Sequence, residues 1–388
     1  MPEPFLFAAG VQASLYDRVM PPWFCLTLHA RYQCRHAGAC CQNWTVPAEP
    51  VVIAFVEARQ IRRAGVSGPL FVATSTNAHD TWSVAREAGG NCVFFDQGGG
   101  RLCEIHRTAG ADALPSACRH FPRKILRDAR GTFVSLSHFC PTAALMLLGA
   151  DPLLLVEAQP PLRLNEPIEG LDALNALPPL LRPGLLCDLE GYAAWERAGL
   201  ETFARTDLTY RQALNLIAAA TEAIREWRPG TCSMVDHVER AFLQCPAGST
   251  PESPEAHTRT IETVIALCAE RVPDDILPID GFDALWARHA AGPFERFDRG
   301  MKNYLAARLF ANWIAYQGRG LRSNVEWLQT AAALVRHQFL RRLLAAAGPP
   351  GPDDFIEAVR QTDLLLLHVF DTHAFARHVA PIEGPDPE

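Results

Sequence analysis

Apolar residues recur at helical spacing through the C-terminal part of the chain. Leu214, Ile217, Thr221 and Ile224 keep intervals of three and four, and Leu305, Leu309 and Trp313 recur every fourth residue. Val325, Leu328, Ala332, Val335, Phe339 and Leu343 form the longest such stripe. A period near 3.6 places these positions on one helix face. The N-terminal third reads differently. The apolar run Asn91 to Phe95, the glycines 98–100 and the segment Arg101 to Ile105 predict two short strands joined by a glycine turn. Thr132 to Leu136 predicts another short strand, and Pro47 to Arg63 a helix with Val52, Phe55, Val56 and Ile61 on its apolar side.

The predicted fold is mainly α: a small, irregular, cysteine-rich α+β module over 20–150, then a helical domain over 157–380. The proline-rich passage Gln159 to Pro167 marks the boundary between them. Helix breaks are expected at Pro246 to Pro254 and Gly348 to Pro352, and residues 381–388 read as a mobile tail. Tyr304, Phe310, Trp313 and Tyr316 could form a cofactor-binding aromatic face, although a packed helical core accounts for the same spacing.

Composition narrows the class. The chain has 388 residues, 48% hydrophobic and 20% charged, which is ordinary for a globular protein. No apolar run reaches the length of a membrane span. The opening residues lack a basic n-region, and their apolar run is too short for a signal peptide, so a cytoplasmic protein is the expectation. The net charge is −7, unevenly spread: residues 1–150 hold 14 basic and 10 acidic residues, the remainder 22 and 33. That mild basic excess could suit an anionic centre, but it is too sparse for a nucleic-acid surface. An ordinary solvated face explains it as well.

Cysteine changes the picture most. Of 12 cysteines, eight lie in the first 140 residues, and from Cys34 onward they are Cys34, Cys40, Cys41, Cys92, Cys103, Cys118 and Cys140. In a reducing compartment such a set points to metal or redox chemistry rather than disulfides. Thiolates suit zinc and iron–sulfur clusters, not magnesium or calcium. One four-ligand site would use four of the seven. Two closed zinc sites would need about eight ligands, and His36, His106, His120 and His138 could complete that number. Buried thiols and surface histidines are the bland alternatives. Adjacent Cys40 and Cys41 can serve one centre only across a sharp turn, which Gly38 could supply. Arg119, Arg123 and Lys124 could offset the charge of a thiolate-rich centre or grip a ligand carboxylate, or simply form a solvated basic turn.

In order, the motifs are Cys34, Gly38 and Cys40-Cys41 with Trp44; Leu102-Cys103-Glu104-Ile105; Cys118-Arg119-His120-Phe121-Pro122-Arg123; and Ser137 to Cys140-Pro141. Their sequence resembles the YkgJ-type cysteine-cluster proteins, a zinc- or iron-chelating family, and most of all the flagellin lysine N-methylase branch. Ala37 stands where many members carry a further cysteine, so one potential ligand is replaced. The resemblance implies a 4Fe-4S iron–sulfur cluster more than zinc. For that branch it also implies S-adenosylmethionine as methyl donor and lysines of flagellin, or of another protein substrate, as acceptors. The substrate lysine must be neutral to attack, and Glu104 and His106 are candidate bases by proximity to Cys103. The chain has neither a Rossmann glycine loop nor the CxxxCxxC run of radical S-adenosylmethionine enzymes. A structural zinc protein and a metal carrier or sensor are the rival classes.

Overall fold

A computed structural model of the chain describes residues 22–35, 38, 41–42, 44–76, 79–96, 102–158, 168–248, 254–268, 276–317, 320–345, 348–369 and 374–375. Strand β1 (Trp23–Leu26) runs into helix α1 (Thr27–Ala30), and α2 (Pro50–Ala58) follows the first cysteine loop. Next come the β2 (Phe71–Thr76) and β3 (His79–Val84) pair, then the short helices α3 (Glu104–Ala109) and α4 (Ser116–His120). The hairpin β4 (Arg123–Asp128) and β5 (Gly131–Leu136) leads into α5 (Pro141–Met146). Four short strands, β6 (Leu155–Glu157), β7 (Gly170–Asp172), β8 (Leu180–Arg182) and β9 (Leu185–Leu186), precede the helices. These are α6 (Leu189–Ala204), α7 (Tyr210–Arg225), α8 (Met234–Gln244), α9 (Pro254–Leu267), α10 (Phe282–Leu285) and α11 (Ala291–Glu295). The series closes with α12 (Asp298–Leu309), α13 (Ile314–Gln317), α14 (Leu321–Ala345) and α15 (Pro352–Leu364). The fold is mainly α, with a small α+β region at the N-terminal side. Among the described residues no helix is long and apolar enough to cross a membrane.

Five strands form one mixed sheet in the order β6-β1-β5-β4-β7. Strand β5 is its centre: it runs parallel to β1, with Cys25 opposite Val134, and antiparallel to β4, with Lys124 opposite Ser135. Leu26, Leu126 and Phe133 on the sheet join the helices in one large core with Tyr192, Trp195, Tyr304, Leu328 and Phe339. A second, smaller core is built from residues 46–117, around Val56, Phe71, Val93, Phe94 and Ile105. Cys41, Cys92, Cys103 and Cys118 lie at this small core, and Cys140 packs with Leu136 at the end of β5.

The helical stripes form as their spacing predicts. Leu214, Ile217, Thr221 and Ile224 are buried on α7, which begins with a Thr209–Gln212 capping box. Val325, Leu328, Ala332, Val335 and Phe339 are buried on α14. Strand 132–136 forms as part of β5. Three expectations change. The helix over 47–63 is confined to Pro50–Ala58: Pro50 starts it, and Gln60, at φ +52°, ends it. The strand pair 91–95 and 101–105 shrinks to a bridge between Phe95 and Cys103, because Cys103 caps α3 and Glu104 enters the helix. Trp313 does not continue the Leu305–Leu309 stripe, since α12 stops at Leu309 and Ala311 turns the chain at φ +55°. The proline-rich passage 159–167, the glycines 98–100 and the tail 381–388 lie outside the described residues.

Candidate metal centre

The loop after α1 carries Tyr32 and Cys34, and the loop after β5 carries Cys140. The Tyr32 hydroxyl lies 3.5 Å from Cys140 Sγ. The Arg123 guanidinium, at the start of β4, sits 5.6 Å from the centre of the Tyr32 ring. Burial raises the Tyr32 phenol far above its ordinary range, and the thiols of Cys140 and Cys34 add to this while Arg123 opposes it. Burial also lowers Arg123, and Tyr32, Cys34 and Cys140 push it back up. Four side chains from three segments therefore share one electrostatic group: two thiols, a phenol and a mostly buried cation. A guanidinium beside a thiol favours the thiolate, the form that binds metal.

Cys41, Cys92, Cys103 and Cys118 form a second grouping around the small core. Cys92 N–H donates to the Cys41 carbonyl at 2.7 Å, Gln42 bridges to Asn91, and Arg86 Nη1 lies 3.5 Å from the Cys41 carbonyl, so the 41–42 and 91–92 segments are tied edge to edge. The turn into Cys41 closes with Cys41 N–H on the Gly38 carbonyl at 3.0 Å. Gly38 has φ +77°, and a Cβ there would run into the Phe95 ring, so only glycine fits. Cys40 and His36 lie outside the described residues. Among the described residues no three His, Cys, Asp or Glu side chains stand together as a metal-holding group. The donor chemistry fits a soft metal; among the described residues Cys34 and Cys140 share one electrostatic group with Tyr32 and Arg123, while Cys41, Cys92, Cys103 and Cys118 border the small core.

Three of the sequence motifs meet through their aromatic residues. Trp44 stacks on Phe121 with ring centres 5.8 Å apart, and Phe121 meets Phe139 edge-on at 6.3 Å. His368, just beyond α15, packs on all three rings, 5.0 Å from Trp44. These aromatic positions therefore act as the packing that fixes the segments carrying Cys41, Cys118 and Cys140.

Behind Cys140 lies a buried polar network that the sequence alone does not reveal. His138 Nδ1 is 3.2 Å from Asp363 Oδ2, and His138 N–H donates to the same oxygen at 2.5 Å. The Tyr304 hydroxyl donates to Asp363 Oδ1 at 2.8 Å, and Arg308 Nη1 lies 3.6 Å from Oδ2. On its other side His138 Nε2 faces His29 Nε2 at 3.1 Å, so one ring donates and the other accepts. Burial alone would raise the Asp363 carboxyl, but Arg308 and the His138 hydrogen bonds override it and hold it at about 2. Burial lowers both His29 and His138, which keeps the imidazole pair neutral. Only the i,i+2 position of His138 before Cys140 hints at this network in the sequence.

The other candidates take separate places. Arg119 Nη1 donates to the carbonyls of Asp112 and Leu114, at 3.0 and 2.8 Å, which anchors the turn before α4. Glu104 accepts from Arg107 Nε at 3.0 Å and from Thr108, and Arg107 lowers its pKa, which makes it a weaker base than its position suggested. His106 is partly buried on α3. Cys25 sits in the sheet among Trp23, Ile125 and Val134. Cys187 and Cys268 belong to the large core, where burial pushes their thiols up to about 12 and about 11. Tyr304 is committed to Asp363 and Tyr316 to Asp128, at 2.9 Å, whereas Phe310 and Trp313 line a cleft.

Residues 33–141 match the CxxCxxCC family model, described as "Putative zinc- or iron-chelating domain". The chain is also 27% identical over 117 residues to the flagellar biosynthetic protein FliU of Salmonella muenchen. That match covers 29% of this chain and 66% of the relative, just under two thirds of its length. No solved structure matches the chain.

Proposed function

We propose that the chain is a metalloprotein holding a 4Fe-4S iron–sulfur cluster in its N-terminal cysteine module, and that it transfers methyl groups from S-adenosylmethionine to lysines of flagellin. The observation that carries the metal reading is the Tyr32–Cys34–Arg123–Cys140 grouping, whose cysteines and arginine fall in the segment matching a chelating-domain family. The ligands would be drawn from Cys34, Cys40, Cys41, Cys92, Cys103, Cys118 and Cys140. The Arg123 cation would offset part of the negative charge that thiolate ligands bring. The cluster, when bound, would supply the centre at which the methyl donor is positioned or activated. Trp44, Phe121 and Phe139 would hold the ligand loops in place and keep water from the thiolates.

The methyl-transfer half rests on the motif resemblance and on similarity to a protein named for flagellar biosynthesis. In this reading the helical region presents the protein substrate, and the protein works in the cytoplasm. Flagellin incubated with anaerobically purified protein and S-adenosylmethionine is expected to gain mass in steps of one methyl group. Unchanged flagellin mass, with iron and sulfide present in the protein, would overturn the methylase reading.

A structural zinc site is the second reading, favoured by one feature. The 46–117 core is small, and isolated bridges rather than full ladders join segments 41–47, 83–86, 91–95 and 103. Modules of that kind often depend on a metal for stability. Zinc without iron in the purified protein would select this reading.

A further inference from the structure

Four consecutive residues lead from the end of β5 to Cys140, and each is held by a different side chain from the helical region. Arg308 on α12 donates through Nη2 to the Leu136 carbonyl at 2.5 Å. His368 lies in the π-helical turn Leu365–Val369 that follows α15, with Nε2 2.9 Å from Ser137 Oγ. Asp363 on α15 accepts the His138 N–H at 2.5 Å. Arg360, three residues earlier, donates through Nε to the Phe139 carbonyl at 3.1 Å, and its guanidinium lies 5.5 Å from the centre of the Phe139 ring. Arg360 and Asp363 share a helix face by their spacing. The wider winding of the π turn brings His368 round to the same side.

The anchors are themselves fixed. Asp363 also accepts from the Tyr304 hydroxyl at 2.8 Å, and Arg360 pairs with Glu357. The hold continues past the cysteine, where Asn303 Nδ2 on α12 donates to the Leu147 carbonyl at 2.8 Å, just after α5. Cys140 itself is buried, stands at the N-cap of α5 and packs with Leu136, Ala143 and Tyr32. From the strand side the stretch is tied by Ser137 N–H on the Pro122 carbonyl at 2.7 Å. Cys41 and Cys92 are joined to each other by a backbone bond inside the small module instead.

We infer that Arg308, Arg360, Asp363 and His368 are positioning residues for Cys140, so that this thiol is set from the helical region and not from the cysteine module alone. Holding the main chain at Leu136, His138 and Phe139 and the side chain of Ser137 fixes where Cys140 leaves the chain. Partners of this kind orient a ligand without touching what it binds. The consequence for a metal rests on the chelating role proposed above: the geometry of one candidate ligand would then depend on α12 and the end of α15.

The test follows alkylation by iodoacetamide cysteine by cysteine, with peptide mass mapping, in the full-length protein as purified. A buried thiol reacts only when its surroundings open, so the rate at Cys140 reads the local hold. Arg360→Met and His368→Phe each remove one polar contact and keep the bulk. Each is expected to speed labelling of Cys140 at least fivefold, while Cys187 and Cys268, buried in the large core, keep their wild-type rates. Arg360→Lys keeps a cationic donor, and the amide of His368→Gln can still reach Ser137. Both are expected to label Cys140 within twofold of the wild-type rate. Unchanged labelling of Cys140 in either contact-removing variant, equal speeding of all three cysteines, or failure of either conservative variant to restore the rate would overturn the inference. Iron and zinc are assayed on the same samples. Wild-type protein holding neither metal would defeat the chelating reading and leave the labelling result decisive for Cys140. Metal-bound protein with unchanged labelling would defeat the inference alone.

Discussion

Tyr32 and Cys140 lie 108 positions apart in the chain, and the phenol oxygen of one sits 3.5 Å from the thiol sulfur of the other. Arg123 covers the Tyr32 ring and faces both Cys140 and Cys34. If these groups tune a metal centre, Arg123→Gln should lower metal affinity roughly 10–100-fold, the usual loss when a partner of a ligand is removed. Arg123→Lys, which keeps the charge, should retain more. Metal content after dialysis against graded chelator measures the difference, and equal retention in both variants would show that Arg123 only packs.

Gly38 is the narrowest requirement in the first cysteine loop. Gly38→Ala places a Cβ against the Phe95 ring and forces an L residue to φ +77°. The backbone term alone is about 1–2 kcal/mol. The expected outcome is reduced metal content with the helical core intact. Limited proteolysis should therefore cut within 33–120 first, and wild-type protease resistance there would contradict the account.

How much of this was legible in the sequence depends on where the determining contact lies. The α7 and α14 stripes were readable because helical burial is periodic, and a 25-residue helix such as α14 repeats its signal several times. The cysteine motifs were readable as chemistry. Their grouping was not, because Cys34 joins Cys140 through Tyr32 and Arg123, and spacing along the chain carries no record of that contact. Strand β1 escaped notice because Trp23–Leu26 has four residues and pairs with the distant β5 and β6; β4 escaped it because its apolar Ile125 and Leu126 are adjacent between charged residues and show no alternation. The Asp363–His138–His29 network was hidden for the same reason: its members come from four segments of the chain.

That network should be costly to break. Asp363→Ala leaves Arg308 buried without its carboxylate and removes the acceptor of Tyr304 and His138. Loss of one partner of a buried ion pair typically costs about 3–5 kcal/mol. Chemical denaturation should report a shift of that size. A loss below about 1 kcal/mol would mean that the network is solvated and adds little.

Acid sensitivity should arise in the helical core as well. Burial, with Arg336, His337 and Arg211 adding to it, lowers His257 to about 3, and burial with Arg341 lowers His337 to about 4. His257 Nε2 lies 3.4 Å from His337 Nδ1, and both rings stack with Phe282. Both folded values lie below the ordinary histidine value of about 6.5, so the unfolded chain binds more protons below that pH. Their contribution is fully present above pH about 6.5 and is lost as pH falls toward 4, by at most about 1.4 kcal/mol per pH unit for each ring. His257→Phe should flatten the stability curve between those limits. An unchanged slope would assign the acid sensitivity to other groups.

The central claim is that the N-terminal cysteines hold an iron–sulfur cluster. Iron, zinc and acid-labile sulfide analysis of anaerobically purified protein, read together with its visible absorption spectrum, tests it most directly. The account predicts iron and sulfide in equal amounts and a broad visible band that bleaches in air. Zinc alone, or neither metal, in a colourless protein would contradict it.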